Sequence, residues 1–385
     1  MNRSLTLVSG AKKNIGDFLI FNKCREMIQH HLNPDQILEL KRTEDFGPHI
    51  ESINQTDALI ICGGPGYRTD FYPGTYPFLK YLDEFTIPIL PLGLGWQGEP
   101  LFLPKRFRFT PRSEKHIMRI HRKIPTSTTR DEITKSILNR VGIMNVINSG
   151  CPTLFDIEKM KDNSPFSKPK EIDTIAVSMA QNPLLHSQNV DLITEISRRF
   201  PDVSKLALFH RGTSADAFTH KAEGESLTRL VQQTEALGYE IMDLSYDINR
   251  IEIYQEASFH VGYRVHGHAF CVSQRIPSFL LWEDGRGQGM SLNLKIAGVP
   301  ARRVRLADRL PLLERIRKRA VSAEKRYGFL SSITINSGAI PSIMHLIENQ
   351  ISNDFNMFNS TPRRLAELYC NLRGFFDQTE NFLYN

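Results

Sequence analysis

Short apolar runs alternate with amphipathic segments along most of this chain, and the alternation predicts an α/β protein. Leu5–Val8, Asp57–Cys62 and Ile87–Leu92 are apolar runs of strand length. Asp17–His31, between the first two runs, has apolar residues at helical spacing and predicts an amphipathic helix. Buried strands that alternate with helices are typical of a parallel sheet covered by helices on both faces.

A polar segment rich in Lys, Pro and Ser interrupts the pattern between Lys159 and Lys170. Such a composition is typical of a linker. The alternation then restarts, with strands predicted at Thr174–Met179, Lys205–Phe209, Glu240–Leu244, Phe259–Tyr263 and Ser278–Trp282. The helices predicted between and after them are Val190–Arg199, Glu225–Leu237, Asn249–Glu256, Gly267–Gln274 and Met290–Ala297.

We therefore predict two Rossmann-like domains, as a chain of 385 residues also suggests. They cover residues 1–158 and 173–345, with a linker over 159–172 and a helical C-terminal extension over 346–385. Beyond Pro311 the pattern is mostly helical, and Pro362–Phe376 is expected to pack as a closing helix. Two such domains predict a cleft between them, where ligands are commonly bound.

The composition excludes several classes of protein. No apolar run approaches the ~20 residues that span a bilayer, so we expect a cytoplasmic protein. The five cysteines are widely spaced and do not predict disulfides or a zinc site. The net charge of +6 suits an anionic ligand, an anionic membrane face or nucleic acid. Because no nucleic-acid motif accompanies the basic residues, we expect no nucleic acid partner.

The segment Gly262–Phe270, in which Arg264 and His266 stand two residues apart, carries the most chemistry. It predicts a strand, a sharp turn at Gly267 and the start of a helix. A guanidinium would then lie at a strand's carboxyl end and an imidazole at a helix N-terminus. Unpaired backbone N–H groups and the helix dipole make such a position a natural anion site. For an isolated Arg-x-His, the alternative is a buried pair that closes the strand.

Arg211 follows another predicted strand of the second half, so we expect it at the same sheet edge as Arg264. Two guanidiniums suit a ligand with both carboxylate and phosphate, since Arg binds each through two hydrogen bonds. An ion pair with Asp216 is the alternative role of Arg211. His266 and His268 form His-x-His, but without nearby acidic or cysteine ligands this does not predict a metal site.

Polar residues and glycines follow the predicted strands of the first half. Asn14 and Asp17 come directly after the first strand, where capping of the helix is the alternative role of Asp17. Gly63 and Gly64 end the next apolar strand and permit a tight turn close to a ligand. Gly93–Gly98 matches G-x-G-x-x-G, but no helix opens after it, so a dinucleotide site is not predicted.

Taken together, Ala257–Pro300 resembles the C-terminal signature of the polysaccharide pyruvyl transferase family. In that family a strand ends in Arg-x-His, and a short helix, a Pro-led strand and a loop with a basic residue follow. Arg286 lies where the family often has Lys. The family also has counterparts of the Asn14–Asp17 segment, of both glycine turns and of Thr129–Asp131 with Ser136. Pro65 departs from the pattern, since a third glycine is common there.

The resemblance implies two Rossmann-like domains that face a cleft, a GT-B-like fold with a helical C-terminal segment. It implies transfer of pyruvate from phosphoenolpyruvate (PEP) to a glycan or lipid-linked oligosaccharide as a ketal. Because no set of metal ligands is visible in the sequence, we expect catalysis without a metal, and we expect no cofactor beside the donor PEP. The residues expected to act in catalysis are His266 and Arg264. The residues expected to bind PEP are Arg211, Arg264, His266 and Arg286. The residues expected to bind the acceptor are Asn14, Asp17, Gly63, Gly64 and Arg130.

Two other functions fit the same fold, because a fold does not determine a function. One is a nucleotide-sugar-dependent glycosyltransferase, in which Arg211 and Arg264 would hold a diphosphate. The other is a glycan-binding protein without catalytic activity. Peripheral contact with the inner membrane face and the oligomeric state are left open.

Overall fold

Parallel strands form the centre of the first half of the molecule. The computed structural model describes residues 3–98, 104–162, 164–219, 221–304 and 333–385. The strands of the first half are β1 Ser4–Ser9, β2 Gln36–Lys41, β3 Ala58–Cys62, β4 Ile89–Leu92, β5 Ser127–Thr129 and β6 Val146–Asn148. The first four pair in parallel in the order β2–β1–β3–β4. The parallel pair β5–β6 continues this sheet through a bridge between Leu94 and Thr129.

A second parallel sheet forms the centre of the second half. Its strands are β7 Thr174–Ser178, β8 Ser204–Phe209, β9 Glu240–Asp243, β10 Phe259–Gly262, β11 Ser278–Trp282 and β12 Val299–Pro300. They pair in the order β12–β11–β10–β7–β8–β9. A small antiparallel pair, β13 Arg302–Val304 and β14 Ile333–Ile335, lies apart from it. Among the described residues the two large sheets share no strand, which agrees with the restarted alternation.

Helices connect the strands and cover the sheets. Those of the first half are α1 Ile15–Leu32, α2 Ile50–Asn54, α3 Pro111–His121, α4 Glu132–Arg140 and α5 Ile157–Lys161. Those of the second half are α6 His186–Arg199, α7 Lys221–Ala236, α8 Val265–Ser273 and α9 Gly285–Leu294. The chain ends in α10 Ala339–Ser352 and α11 Thr361–Tyr384. No described helix is both long and apolar enough to cross a bilayer.

The strands with the clearest apolar pattern are the central ones. Every residue of β3 and of β11 is buried, because helices cover both faces of each sheet. The edge strand β2 was not predicted, since it is largely exposed and its sequence mixes Glu39 and Lys41 with apolar residues.

The helix predicted at Met290–Ala297 begins earlier, at Gly285, because Asp284 caps it through its side chain. The predicted helix Asn249–Glu256 is a 3₁₀ helix, Ile248–Glu256.

The closing helix predicted at Pro362–Phe376 is confirmed as α11, and it reaches back to the first half. The His31 ring stacks on Phe376 with 4.8 Å between ring centroids. Asn371 Nδ2 donates to the carbonyl oxygen of Asn148 at 2.9 Å. The helix thereby ties the end of the chain to the first sheet.

The helical prediction after Pro311 falls partly on residues 305–332, which lie outside the described residues. The proposed domain boundaries stay predictions.

Candidate active site

The second sheet brings Arg264 and His266 to the junction of β10 and α8. β10 ends at Gly262, whose φ of 146° favours glycine. A Cβ on Gly262 would also collide with Ser178 of the neighbouring strand. The predicted strand and helix are confirmed, and a sharp turn joins them. The turn was wrongly placed, however, because Gly267 lies inside the first turn of α8 and the sharp bend is at Gly262.

Arg264 is the N-cap residue of α8, and the loop after β7 holds part of its guanidinium. Nε donates to the carbonyl oxygen of Met179 at 2.8 Å, and Nη2 donates to the side-chain oxygen of Gln181. Among the described residues, Nη1 has no hydrogen-bond partner. Burial lowers the pKa of Arg264 to about 10; Glu283 opposes this shift, and the nearby Arg211 adds to it. The side chain is therefore a positioned cation with N–H groups left for a ligand.

Gln181, which the sequence analysis missed, connects the two arginines of this sheet edge. Its Oε1 accepts from Arg264 and, at 2.9 Å, from the backbone N–H of Arg211. Its Nε2 donates to the carbonyl oxygen of Gly212 at 2.9 Å. The only signal in the sequence is its position just beyond a predicted strand, which does not distinguish Gln181 from its neighbours.

Arg211 lies at the carboxyl end of β8, at the predicted sheet edge, and is half-buried. The alternative role that we considered for it is wrong. Asp216 instead lies 2.7 Å from Lys13 Nζ and accepts a hydrogen bond from the Tyr246 hydroxyl at 2.6 Å. Within the described parts of the chain, the Arg211 guanidinium makes no ion pair, so its charge is available at the sheet edge.

His266 occupies the second position of α8 and is 5% exposed. Its ring lies against the first turn of α1, since a Cβ built on Gly16 would stand 2.6 Å from His266 Nδ1. Its Nε2 is buried and has no partner among the described residues. Burial, reinforced by Arg286 and Arg130, lowers the pKa of His266 to about 3. At neutral pH the imidazole is uncharged and carries an unsatisfied buried nitrogen.

A chain of buried hydrogen bonds supports the start of α8. Ser178 Oγ accepts from the backbone N–H of Arg264 at 3.1 Å and lies 2.8 Å from His260 Nε2. Ser278 Oγ lies 2.7 Å from His260 Nδ1 and 2.7 Å from His268 Nδ1. Burial lowers the pKa of both histidines, so the rings are neutral at physiological pH. The chain fixes the backbone from which the Arg264 side chain extends.

The loop before α9 adds charged side chains of both signs to the site. Asp284 caps α9 by accepting from the backbone N–H of Arg286 at 2.9 Å, and its Oδ2 lies 2.8 Å from Arg286 Nη2. Burial opposes ionisation of Arg286, but Asp284 raises its pKa above the ordinary value. Burial raises the pKa of the adjacent Glu283, against the influence of Arg264. Arg286 is therefore an arginine that already has an acidic partner. The sequence analysis missed both carboxylates.

The first turn of α1 faces this cluster from the first half. Asn14 is the N-cap residue and accepts from Gly16 N at 3.3 Å, so the capping role considered for Asp17 is wrong. The backbone N–H of Ile15 donates to the carbonyl oxygen of His210 at 3.1 Å, which joins the two halves directly. Burial raises the pKa of Asp17, while Arg286 and further cations oppose the shift.

A recess at the carboxyl ends of β1 and β3 extends from Asp17. Gly63 and Gly64 line it together with Arg42, which follows β2 and was missed with that strand. Both glycines have positive φ, 55° and 81°. Because a Cβ on Gly64 would meet nothing within 4 Å, backbone is exposed to the recess there. The structure therefore brings four of the predicted acceptor residues together. Asp17, Gly63 and Gly64 line the recess, and Asn14 Nδ2 donates to Asp17 Oδ2 at 3.4 Å.

Arg130 follows β5 and is fully buried, and it does not line the recess that Asp17, Gly63 and Gly64 share. Its Nη2 donates to the carbonyl oxygen of Trp96 at 2.9 Å, and Nε lies 3.3 Å from Oδ2 of Asp131. Its Nη1 is buried with no hydrogen-bond partner in the described part of the chain. Arg130 helps to lower the pKa of His266, so its guanidinium lies within electrostatic range of the ring.

The arrangement suits a small ligand with more than one negative charge. Arg264 and Arg211 offer guanidinium groups from the second half, and Arg130 and His266 have buried nitrogens without partners. Buried donors without partners are costly, so such groups indicate a place where a ligand or water binds. In the described ranges, no group of three or more His, Cys, Asp or Glu side chains is arranged to hold a metal ion. Independence from metals and cofactors stays a prediction.

Comparisons with known proteins agree with this picture. Residues 14–285 match a family model described as polysaccharide pyruvyl transferase. No curated protein matches the chain. Many solved structures match the fold, and two of them serve as examples. S. aureus MnaA, in a co-structure with UDP, is 8% identical with a TM-score of 0.55, covering 99% of this chain and 97% of that chain.

The second is a Listeria monocytogenes protein assigned as a UDP-N-acetylglucosamine 2-epimerase. It is 9% identical with a TM-score of 0.53, covering 100% of this chain and 98% of that chain. At such identities the similarity concerns the fold, which is GT-B-like. The predicted fold class is confirmed.

Proposed function

Since this chain belongs to the polysaccharide pyruvyl transferase family, we propose that it moves pyruvate from PEP onto two hydroxyl groups of a glycan sugar. The observation that carries the proposal is the unpartnered, buried Nε2 of His266 beside a cluster of arginines. PEP has a carboxylate and a phosphate close together, and a cluster of guanidiniums with an adjacent acid–base group suits that combination.

The reaction that we propose begins with the enol phosphate of PEP. A proton adds to the methylene carbon, and the neighbouring carbon becomes an oxocarbenium ion. One sugar hydroxyl adds to that carbon and loses its proton. Phosphate then leaves with the electron pair of its C–O bond, and the second hydroxyl closes the ketal with loss of its own proton. Of the two protons that the hydroxyls lose, one replaces the proton given to the methylene carbon and the other protonates the departing phosphate. The products are the pyruvylated sugar and inorganic phosphate, so atoms and charge balance.

In this proposal Arg264 and Arg211 bind the donor from the second half. Both lie at the carboxyl edge of the sheet, and Gln181 holds them in one arrangement. Their partly unsatisfied guanidiniums supply bidentate hydrogen bonds to carboxylate and phosphate. Arg286 contributes positive charge near His266, but its direct ion pair with Asp284 makes it a weaker candidate for donor contact.

His266 is the proposed proton donor, and its pKa has to change for this role. A pKa of about 3 leaves the ring neutral in the free protein. Bound PEP would place several negative charges beside the ring, and nearby negative charge raises the pKa of an imidazole. His266 would then be protonated mainly in the donor complex. Asp17, whose pKa burial raises, is the second candidate acid.

The acceptor sugar is proposed to bind across the mouth of the recess of the first half, because the recess itself has a volume of about 20 Å³ and holds no more than a water-sized group. Asp17 and Arg42 supply hydrogen-bonding groups there, and Gly64 allows the sugar to approach the backbone. This position lies beside the cluster that contains His266, because Gly16 of the same helix turn contacts the ring. We propose a glycan or a lipid-linked oligosaccharide as acceptor.

Calorimetric titration of the full chain with PEP tests the donor assignment. Arg264→Lys should weaken PEP binding by about tenfold or more, because Lys keeps the charge but lacks the planar fork. Arg250→Lys is the matched control, since Arg250 is exposed and paired with Asp247. UDP titrated in parallel tests the glycosyltransferase alternative. PEP affinity that is equal in Arg264→Lys and wild type, or binding of UDP but not of PEP, would contradict the proposal.

A further inference from the structure

Two short stretches of the chain carry its surplus of positive charge. Residues 104–123 contain eight Lys or Arg and one Glu, a surplus of seven positive charges. Residues 302–326 contain ten Lys or Arg and three Asp or Glu, the same surplus, but most of them lie outside the described residues. The first stretch is described throughout, and none of its residues belongs to the candidate active site. It therefore gives the described part of the molecule a strongly basic segment.

Helix α3 displays much of this charge along one side. Arg112, Lys115, Arg119 and Arg122 are spaced by three, four and three residues, which places them on one stripe of the helix. Ile117 lies on the buried side of the same helix. A shallow depression of about 460 Å³ runs beside the stripe.

Few acidic groups compensate for the stripe. Arg119 pairs with Asp83, and the Arg112 guanidinium lies 4.5 Å from the centre of the Tyr72 ring. In the described part of the chain, Lys115 and Arg122 make no ion pair, and both are exposed. Like charges three or four residues apart destabilise a helix, so this stripe costs folding stability. Such a cost indicates an anionic partner that offsets the repulsion.

Neighbouring segments enlarge the stripe into a wider face. Arg140, at the end of α4, donates to the carbonyl oxygens of Pro104 and Lys105 at 2.6 Å each. Burial lowers the pKa of Arg140, and the like charge of the nearby Arg108 lowers it further. Met144 is 71% exposed next to Asn145.

Asn145 places Met144 at the end of α3, because its side chain donates to the carbonyl oxygens of His121 and Ile124 at 2.9 Å each. We name the basic face after its exposed members: Lys105, Arg108, Arg112, Lys115, Arg122, Lys123, Arg140 and Met144.

We propose that the basic face docks the protein on the surface of an anionic bilayer. Several cations on one surface together with an exposed apolar side chain suit anionic headgroups and the adjoining acyl boundary. Protein surfaces that bind single-stranded nucleic acids also carry positive charge, but they usually present exposed aromatic rings on which the bases stack. In the described part of this face the exposed apolar residue is Met144.

Docking in this way would hold the cleft near the lipid headgroups. α4 begins beside the candidate active site, where Asp131 caps it and contacts Gly289 of α9. The helix ends at Arg140 on the basic face, about 13 Å away at 1.5 Å per residue. A substrate anchored in the membrane would therefore meet the cleft of a docked protein. The inference does not depend on which donor the cleft accepts.

Co-sedimentation of the full chain with vesicles tests the inference. The vesicles contain either phosphatidylcholine alone or phosphatidylcholine with about a third phosphatidylglycerol. The test variant combines Lys115→Gln, Arg122→Gln and Lys123→Gln. The matched control combines Lys170→Gln, Arg229→Gln and Arg363→Gln, which removes the same charge from exposed positions elsewhere. Circular dichroism and thermal unfolding verify that both variants fold.

We expect wild type and control to bind the anionic vesicles and not the neutral ones. The partition coefficient of the test variant should be lower by ~100-fold, since each basic residue near an anionic bilayer contributes roughly a factor of five. The inference would be overturned if both variants lost the same amount of binding to anionic vesicles, or if the wild type did not bind these vesicles. Tight binding to heparin or duplex DNA in the absence of vesicle binding would also overturn it, because the face would then serve another polyanion.

Discussion

At the residue scale, the environment of each side chain decides what chemistry it offers. The spacing of Arg264 and His266 can be recognised from the sequence, because a strand end followed by a helix start predicts an anion site. The protonation state of His266 cannot be recognised in this way. It follows from burial and from Arg286 and Arg130, which come from distant parts of the chain. Gln181 was missed for the same reason, since its two arginine partners are brought together only by folding.

Replacement of His266 by Gln tests its proposed role. Turnover should fall by ~10²–10⁴-fold, the usual contribution of a general acid. The affinity for PEP should change little, because the arginines hold the donor charges. The measurement pairs PEP dissociation constants with initial rates of phosphate release in the presence of a competent acceptor. If the folded variant keeps wild-type turnover, the acid has to be sought elsewhere, with Asp17 as the first alternative.

At the scale of elements, three helix N-termini meet at the site. They are the starts of α1, α8 and α9, and each follows the carboxyl end of a parallel strand. The positive ends of the three helix dipoles favour an anion there. The sequence pattern predicted α1 and α8 well, because their flanking strands are buried and apolar. It misplaced the start of α9, since the capping role of Asp284 is not evident before the loop geometry is known.

The contact between α1 and α8 can be tested at Gly16. In Gly16→Ala the new Cβ would stand 2.6 Å from His266 Nδ1, so the ring has to move. A displacement of about 1 Å can lower turnover by ~10²-fold, and we expect a loss of that order. Gly374→Ala is the matched control, because Gly374 also lies in a helix and a Cβ there meets nothing within 4 Å.

The control should leave turnover unchanged and stabilise the protein by about 0.5–1 kcal/mol, the difference in helix propensity between Gly and Ala. Steady-state rates and denaturant unfolding give the two quantities. Equal turnover in both variants would show that Gly16 does not position His266.

At the scale of the whole molecule, contacts between the two halves form the cleft. Asn148 Nδ2 donates to Asn293 Oδ1 at 2.6 Å, and Ile15 N–H donates to the carbonyl oxygen of His210. The sequence predicts two sheets and a linker, since each half repeats the strand–helix alternation. It cannot predict which polar residues of one half meet the other, because a single Asn at the end of a helix carries no pattern.

Buried histidines should make the fold sensitive to acid. The pKa values of His121 and His268 are lowered to about 4 and that of His266 to about 3, in each case mainly by burial. An unfolded chain takes up these protons near pH 6.5, whereas the folded one does not. Stability is therefore greatest above pH 6.5 and falls as the pH decreases towards 4.

Between pH 6.5 and 4, each of these histidines can lower the free energy of unfolding by up to ~1.4 kcal/mol for each unit by which the pH decreases. The free energy of unfolding, measured by denaturant titration between pH 7.5 and 4.5, should decrease accordingly. His268→Gln should make the dependence shallower, and the exposed His345→Gln is the matched control. A stability that does not change between pH 7.5 and 4.5 would contradict the neutral, buried state of these rings.

The most direct test of the proposed function follows pyruvate itself. The full chain is incubated with PEP labelled with ¹⁴C in its pyruvate part and with a lipid-linked oligosaccharide pool, and UDP-hexose is supplied in a parallel reaction. We predict that one phosphate is released for each label that becomes attached to glycan as an acid-labile ketal. Consumption of UDP-hexose with no transfer of label from PEP would contradict the proposal and indicate a glycosyltransferase.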